Sequence, residues 1–206
     1  MLAREMTRHA LSLVLALTSA CGGGAPASDA AKTGPAAAAK PADELKDRSQ
    51  TPLATTKETM DGVSFAIDVP AGLKREAKDA EKWINWTFPD GNPFKEPSIT
   101  VKVGDPIMAP KDLDALVRSA TMMSQDKPPL VVSKQTELPG GGLLVVAERG
   151  DGQYFKLEAI HRSGDKLVRC SVGQRTGTGK PDDVAIPNFA GTKAWAEKIC
   201  GSVKID

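Results

Sequence analysis

The chain reads as an α+β protein, a mostly antiparallel β-sheet with helices packed on it, and three features of the sequence lead there. Apolar and polar residues alternate in short runs bounded by Gly, Pro and Asp, the pattern of strands with one buried face. Only two stretches change to a 3.6-residue period, 113–123 and 192–199. Glycine-centred breaks at 139–142 and 163–165 join neighbouring runs as hairpins, which makes their pairing antiparallel.

In chain order, Val63, Phe65, Ile67 and Val69 alternate with Ser64, Ala66 and Asp68 until Pro70-Ala71-Gly72 stops the run. Ile84, Trp86 and Phe88 repeat the pattern up to Pro89-Asp90-Gly91, and Ile99, Val101 and Val103 repeat it up to Gly104-Asp105-Pro106. Leu113, Leu116, Val117, Ala120 and Met123 then share one helix face, with Asp112 placed to favour its N-terminal end. Met122 and Met123 read as core filler rather than as ligands. After Pro128-Pro129, runs at 130–137 and 143–149 flank the first glycine turn, and runs at 154–161 and 167–172 flank the second. A polar loop at 173–187 leads to the last helix, whose stripe is Thr192, Trp195, Ala196 and Ile199 and whose end is marked by Gly201. The expected order is three strands, a helix, four strands and a helix.

The segment ahead of this domain sets its compartment. Residues 10–20 carry no charge, Arg4 and Arg8 precede them, and Thr18-Ser19-Ala20 runs into Cys21. That is the charged start, short apolar stretch and small-residue cut of a signal peptide over 1–20. The apolar stretch is well short of the roughly 20 residues needed to cross a membrane as a helix. Leu17-Thr18-Ser19-Ala20-Cys21 also resembles the bacterial lipobox, whose cysteine is acylated, with palmitate among the usual chains, and becomes the new N-terminus. Thr18 stands where the lipobox prefers Leu, so cleavage by the ordinary signal peptidase to a soluble product is the other reading. On the lipobox reading the protein meets the membrane through lipid on Cys21. Gly22, in place of the Asp that retains lipoproteins, sends it to the outer membrane, facing the periplasm. Between Gly22 and Gln50 the only large apolar residue is Leu45. Residues 21–56 are therefore expected to form a lipidated N-terminus and a disordered Ala/Gly/Pro-rich tether, and 57–206 a single α+β domain.

Charge and cysteines narrow the function. Loss of Arg4, Arg8 and Glu5 with the signal turns 27 basic and 26 acidic residues into 25 of each, which gives no basic excess for nucleic acid and no polybasic lipid-binding run. Three cysteines are an odd number for an exported chain. Acylation consumes Cys21, leaving Cys170 and Cys200 as a pair in an oxidising compartment. Cys170 shares the inward face of Val168 and Val172 and Cys200 adjoins the stripe ending at Ile199, so a disulfide from strand to helix is expected; two buried free thiols are the alternative.

Motifs that could carry chemistry dissolve on inspection. His161 is the only histidine after residue 20, which leaves too few ligands for a zinc site and a single candidate base for a triad, with no G-x-S-x-G to present a serine. The run 174–180, QRTGTGK, lacks the first glycine and the Ser or Thr of a phosphate loop, since Gln174 and Pro181 occupy those places. The S-x-x-K matches at Ser124 and Ser163 fall beside prolines and in a turn. Asp90-Gly91-Asn92 starts like a calcium loop but has Lys95 where glycine is needed. No metal and no cofactor is expected. Trp83 falls on the opposite face from Ile84, Trp86 and Phe88, which makes it a candidate interaction surface.

The strand 62–72, GVSFAIDVPAG, the W-x-x-W-x-F strand at 83–88, a central helix, two hairpins and a C-terminal amphipathic helix together resemble the PsbP-like α/β/α sandwich of photosystem extrinsic proteins and DcrB-type envelope lipoproteins. The resemblance spans most of 59–203. It implies that sandwich and an accessory or binding role, and it offers no catalytic residues to carry over. The function expected is a non-enzymatic binding or scaffolding domain tethered to the membrane, with an unidentified envelope macromolecule as partner. The alternative is a small-ligand-binding or hydrolytic lipoprotein whose site is assembled from scattered carboxylates.

Overall fold

A computed structural model describes residues 45–92, 94–121, 128–178 and 183–206. Cys21 and the signal segment lie outside these residues, as do Met122, Met123 and the Ser124–Lys127 match. Among the described residues the chain forms ten strands and two α-helices. They are β1 (Leu53–Met60), β2 (Val63–Pro70), β3 (Lys74–Lys78), β4 (Trp83–Thr87), β5 (Ser98–Val103), α1 (Leu113–Thr121), β6 (Val131–Leu138), β7 (Gly142–Glu148), β8 (Tyr154–Ser163), β9 (Lys166–Arg175), α2 (Phe189–Gly201) and β10 (Lys204–Ile205). The α+β class follows directly, with every strand pairing antiparallel.

The strands form two sheets rather than one. Seven make the large sheet, in the order β3-β4-β5-β9-β8-β7-β6, and three make a small one, β1-β2-β10. Both expected hairpins form, β6–β7 and β8–β9. Gly140 and Gly141 take φ of 71° and 76° in the first and Gly164 takes 59° in the second, left-handed values that only glycine adopts at no steric cost. The run expected as loop from Gly173 begins in fact as strand: β9 continues to Arg175, with Gly173 paired to both Ser98 and Lys156.

The alternation of β7 shows how the layers are built. Leu144 and Val146 face one core with Phe155, Leu157, Val168, Val172, Ile99 and Ile84. That core is roofed by Phe65 and Ile67 of β2 and by Trp195 and Ile199 of α2. Leu143, Val145 and Ala147 face the other way, against Leu116 and Ala120 of α1. One helix therefore lies on each face of the large sheet. Asp112 caps α1 as expected, its Oδ1 accepting from the Ala115 amide at 2.7 Å.

The domain boundary moves N-terminal of Lys57. Leu53–Thr56 belong to β1, hydrogen-bonded along β2. Ahead of β1, Arg48 donates to Glu96 at 2.8 Å and lies 4.1 Å from the centre of the Phe88 ring. Trp195 Nε1 donates to the Thr51 carbonyl at 3.2 Å. Residues 45–56 are thus part of the domain, held by hydrogen bonds, one cation–π contact and Leu53 packed against the core.

Candidate functional site

α1 covers only part of its side of the large sheet, packing on β6 and β7. Across β4, β5, β9 and the first half of β8 the same side carries small and charged residues where a core would need apolar ones. In register they form rows: Trp83, Lys102 and Arg169; Asn85, Thr100, Ser171 and Glu158; Thr87, Ser98, Gly173 and Lys156. Nearly all are half-buried or exposed, and α1 reaches the rows at Arg169, whose guanidinium donates to Ser119 Oγ at 3.5 Å.

Three depressions run together along this face. A cavity of about 330 Å³ is bounded by Phe94, Ser98, Tyr154, Lys156 and Arg175. It shares Ser98 with one of about 340 Å³ bounded by Trp83, Asn85, Thr100 and Lys102. That one shares Lys102 with a third, of about 180 Å³, whose walls include Met108, Ile160, Leu167 and Arg169. The result is a shallow polar groove following β5, with an exposed apolar side chain near each end, Phe94 and Met108.

Its electrostatics centre on Glu158, whose side chain is 2% exposed. One carboxylate oxygen meets the Lys156 ammonium and the other the Arg169 guanidinium. Burial pushes the carboxyl up, but the bonds from Lys156 and Arg169 outweigh it and hold it below its ordinary value. Glu158 is thus a fixed counterion, not a poised acid. Lys156 and Arg169 keep 35% and 36% of their side-chain surface exposed, so the groove shows bases above a hidden acid. Asn85 accepts from Thr100 Oγ1 at 2.9 Å. No family model matches the chain, and no curated protein matches it.

The expected site residues separate. Trp83 is half-buried at the groove, its Nε1 donating to Glu81 at 2.7 Å and the Lys78 ammonium 5.1 Å from its ring centre. Cys170 and Cys200 lie on the opposite side of the sheet at disulfide distance, their α-carbons 5.4 Å apart, within the span a bridge allows. Both are fully buried, where α2 packs on β9. His161 is close by, with Nε2 2.7 Å from the Cys200 carbonyl. Burial lowers its pKa, against that hydrogen bond, which raises it. Nε2 carries the proton it donates to that carbonyl, and the ring stands on the face away from the groove.

The other motifs resolve into packing. Asp90 is bound by Lys46 and Arg48, which pull its carboxyl down to about 2. In the QRTGTGK run, Gln174 donates to the Lys95 carbonyl and Thr176 to the Val184 carbonyl, while Gly179 and Lys180 lie outside the described residues. The fully buried Arg149 donates to the Gly177 carbonyl and to Gln153. Among the described residues no three His, Cys, Asp or Glu side chains gather as a metal-holding group, and no helix is long and apolar enough to cross a membrane.

Sequence reading missed Lys102, Lys156, Glu158 and Arg169. Their alternation with Leu157, Ala159, Val168 and Cys170 marks a solvent face on β8 and β9. Lys156, Glu158 and Arg169 meet across the β8–β9 hairpin, but Lys102 joins their row only because β5 pairs with β9, and no local pattern encodes that.

Proposed function

We propose that the chain is an exported envelope lipoprotein, anchored through Cys21, whose domain is a non-catalytic binding module that presents the uncovered part of its large sheet to another envelope macromolecule. The observation that carries the binding reading is the bare half of the sheet. A polar, grooved face beside a helix-covered one is a surface left open by the packing, with side chains held by a rigid scaffold. The anchor reading is supported by Thr18-Ser19-Ala20-Cys21 behind a short apolar stretch. We propose also that the fold is the PsbP-like sandwich, which the placement of a helix on each sheet face supports.

Two measurements test this. Wild-type protein is expected in the membrane fraction and Cys21→Ser in the soluble periplasmic fraction or unprocessed; wild type found wholly soluble contradicts the anchor. A photoreactive residue at Asn85 is expected to crosslink to one discrete envelope component, and the same residue at exposed Lys198 on α2 to none. Equal capture from both positions contradicts the assignment of the face.

A further inference from the structure

We infer that the open groove binds an acidic glycan, a chain of sugar rings bearing carboxylates, laid along β5 from the Tyr154 end to the Lys102 end. This rests on reading that face as the binding face and adds the chemistry of its occupant. The charge layering comes first. Both oxygens of Glu158 are taken by Lys156 and Arg169, which are the more exposed partners, and the third basic group, Lys102, stands exposed beside Arg169 in register. An incoming chain meets these ammonium and guanidinium donors ahead of Glu158; the other acids of the lining stand at its two ends, Glu96 already held by Arg48 and Asp105 beside Met108. Such donors are best complemented by carboxylates.

The uncharged lining selects sugar over other polyanions. Half-buried aromatic rings stand in both main cavities, Trp83 in one and Tyr154 in the other. Trp83 is fixed through its indole N–H to Glu81, and Tyr154 lies 4.8 Å under the Arg175 guanidinium. A flat apolar ring on a sheet suits the C–H face of a pyranose, and the amide and hydroxyls of Asn85, Ser98, Thr100 and Ser171 between the rings suit its hydroxyls. From Ser98 to Gly104 the groove follows β5 for about 20 Å at about 3.3 Å per residue, room for several rings.

An acidic peptide is served less well. β5 and β9 are paired on both sides within the sheet, so the groove has no free strand edge for a peptide backbone to join. The aliphatic walls that could anchor a peptide side chain, Met108, Ile160 and Leu167, lie at the Lys102 end of the groove and not along its middle.

The test uses the full chain in detergent micelles, with amide chemical shifts and calorimetry as readouts and three probes: an oligogalacturonate, its fully methyl-esterified and therefore uncharged counterpart, and a poly-glutamate of matched charge. Oligogalacturonate is expected to bind, with shifts centred on Thr100 and Ser171, and to weaken as salt rises. The ester and the poly-glutamate are expected to bind at least about tenfold more weakly. Trp83→Ala and Lys102→Ala are each expected to weaken oligogalacturonate about tenfold with the rest of the spectrum unchanged, and Lys198→Ala to leave it as it was. Poly-glutamate binding as tightly as oligogalacturonate, with Trp83→Ala indifferent, overturns the proposal in favour of an acidic peptide. Failure of oligogalacturonate to shift the groove also overturns it. In either case crosslinking from Asn85 judges separately whether this is the binding face.

Discussion

Breaking the Cys170–Cys200 link is the perturbation whose size the structure sets most directly. The two residues are 30 apart in sequence. In the chain-entropy account, closing a loop of that length restricts the unfolded ensemble by about 3.6 kcal/mol at 25 °C, less any native-state strain. The loop contains the end of β9, the polar connection and nearly all of α2, so reduction frees a large part of the unfolded chain. In the native state α2 stays docked through Trp195, Ala196 and Ile199 in the core and through the bond from His161 to the Cys200 carbonyl. Reduction should therefore leave the fold intact and lower its melting point. For a domain of this size about 3.6 kcal/mol corresponds to a fall of about 7–14 °C. The assay is calorimetry of the mature protein with and without dithiothreitol, beside a Cys170→Ala/Cys200→Ala variant, with thiol titration of the denatured, unreduced protein as a check. A melting point indifferent to reductant, or two titratable thiols in the unreduced protein, refutes the bridge.

Other expectations follow from the same contacts. His161 has its pKa held down by burial, so the unfolded chain takes up the proton first. The stability this histidine lends is present above about pH 6.5 and is lost as pH falls from there through its folded pKa, and His161→Gln should flatten that slope in pH-dependent denaturant melts. Arg149→Ala removes the donors to the Gly177 carbonyl and Gln153; a loss of about 2–4 kcal/mol in urea unfolding is expected, and under about 0.5 kcal/mol would show that the guanidinium does not hold the connection. Glu158→Gln leaves Lys156 and Arg169 without their shared counterion; because both are a third exposed, the expected cost is modest, about 1–2 kcal/mol. A chain starting at Lys57 lacks half of β1 and the Arg48 contacts, and should melt below one starting at Leu45. Equal melting points would return the boundary to Lys57.

What the sequence made legible follows from burial. β2, β4, β5, β7, β8 and β9 are paired on both sides and bury one face in the core, so their apolar period is strong and each was expected near its place. The strands that escaped notice all lie at a sheet edge. β3 is Lys-Arg-Glu-Ala-Lys and β1 is rich in Thr and charge, compositions that protect an edge from pairing with other chains and that locally resemble loop or tether. β10 has two residues, too few to show a period. The division into two sheets was hidden for the same reason, because the small sheet forms around β2 from edge strands. Of the candidate site, Trp83 was visible because it breaks the parity of its strand. The charged row was only partly so: Glu158 and Arg169 are brought together by the expected β8–β9 hairpin, but Lys102 joins them only because β5 pairs with β9.

The most direct test of the open face as the working face is chemical protection in place. Cysteines introduced singly at Thr100, in the groove, and at Asp114, exposed on α1, are labelled with a small maleimide in intact envelopes and in purified protein, and the rates compared. The account predicts that Thr100→Cys reacts much more slowly in envelopes than when purified, while Asp114→Cys reacts at the same rate in both. Equal rates for Thr100→Cys in the two settings, or slowing at both positions alike, would contradict it.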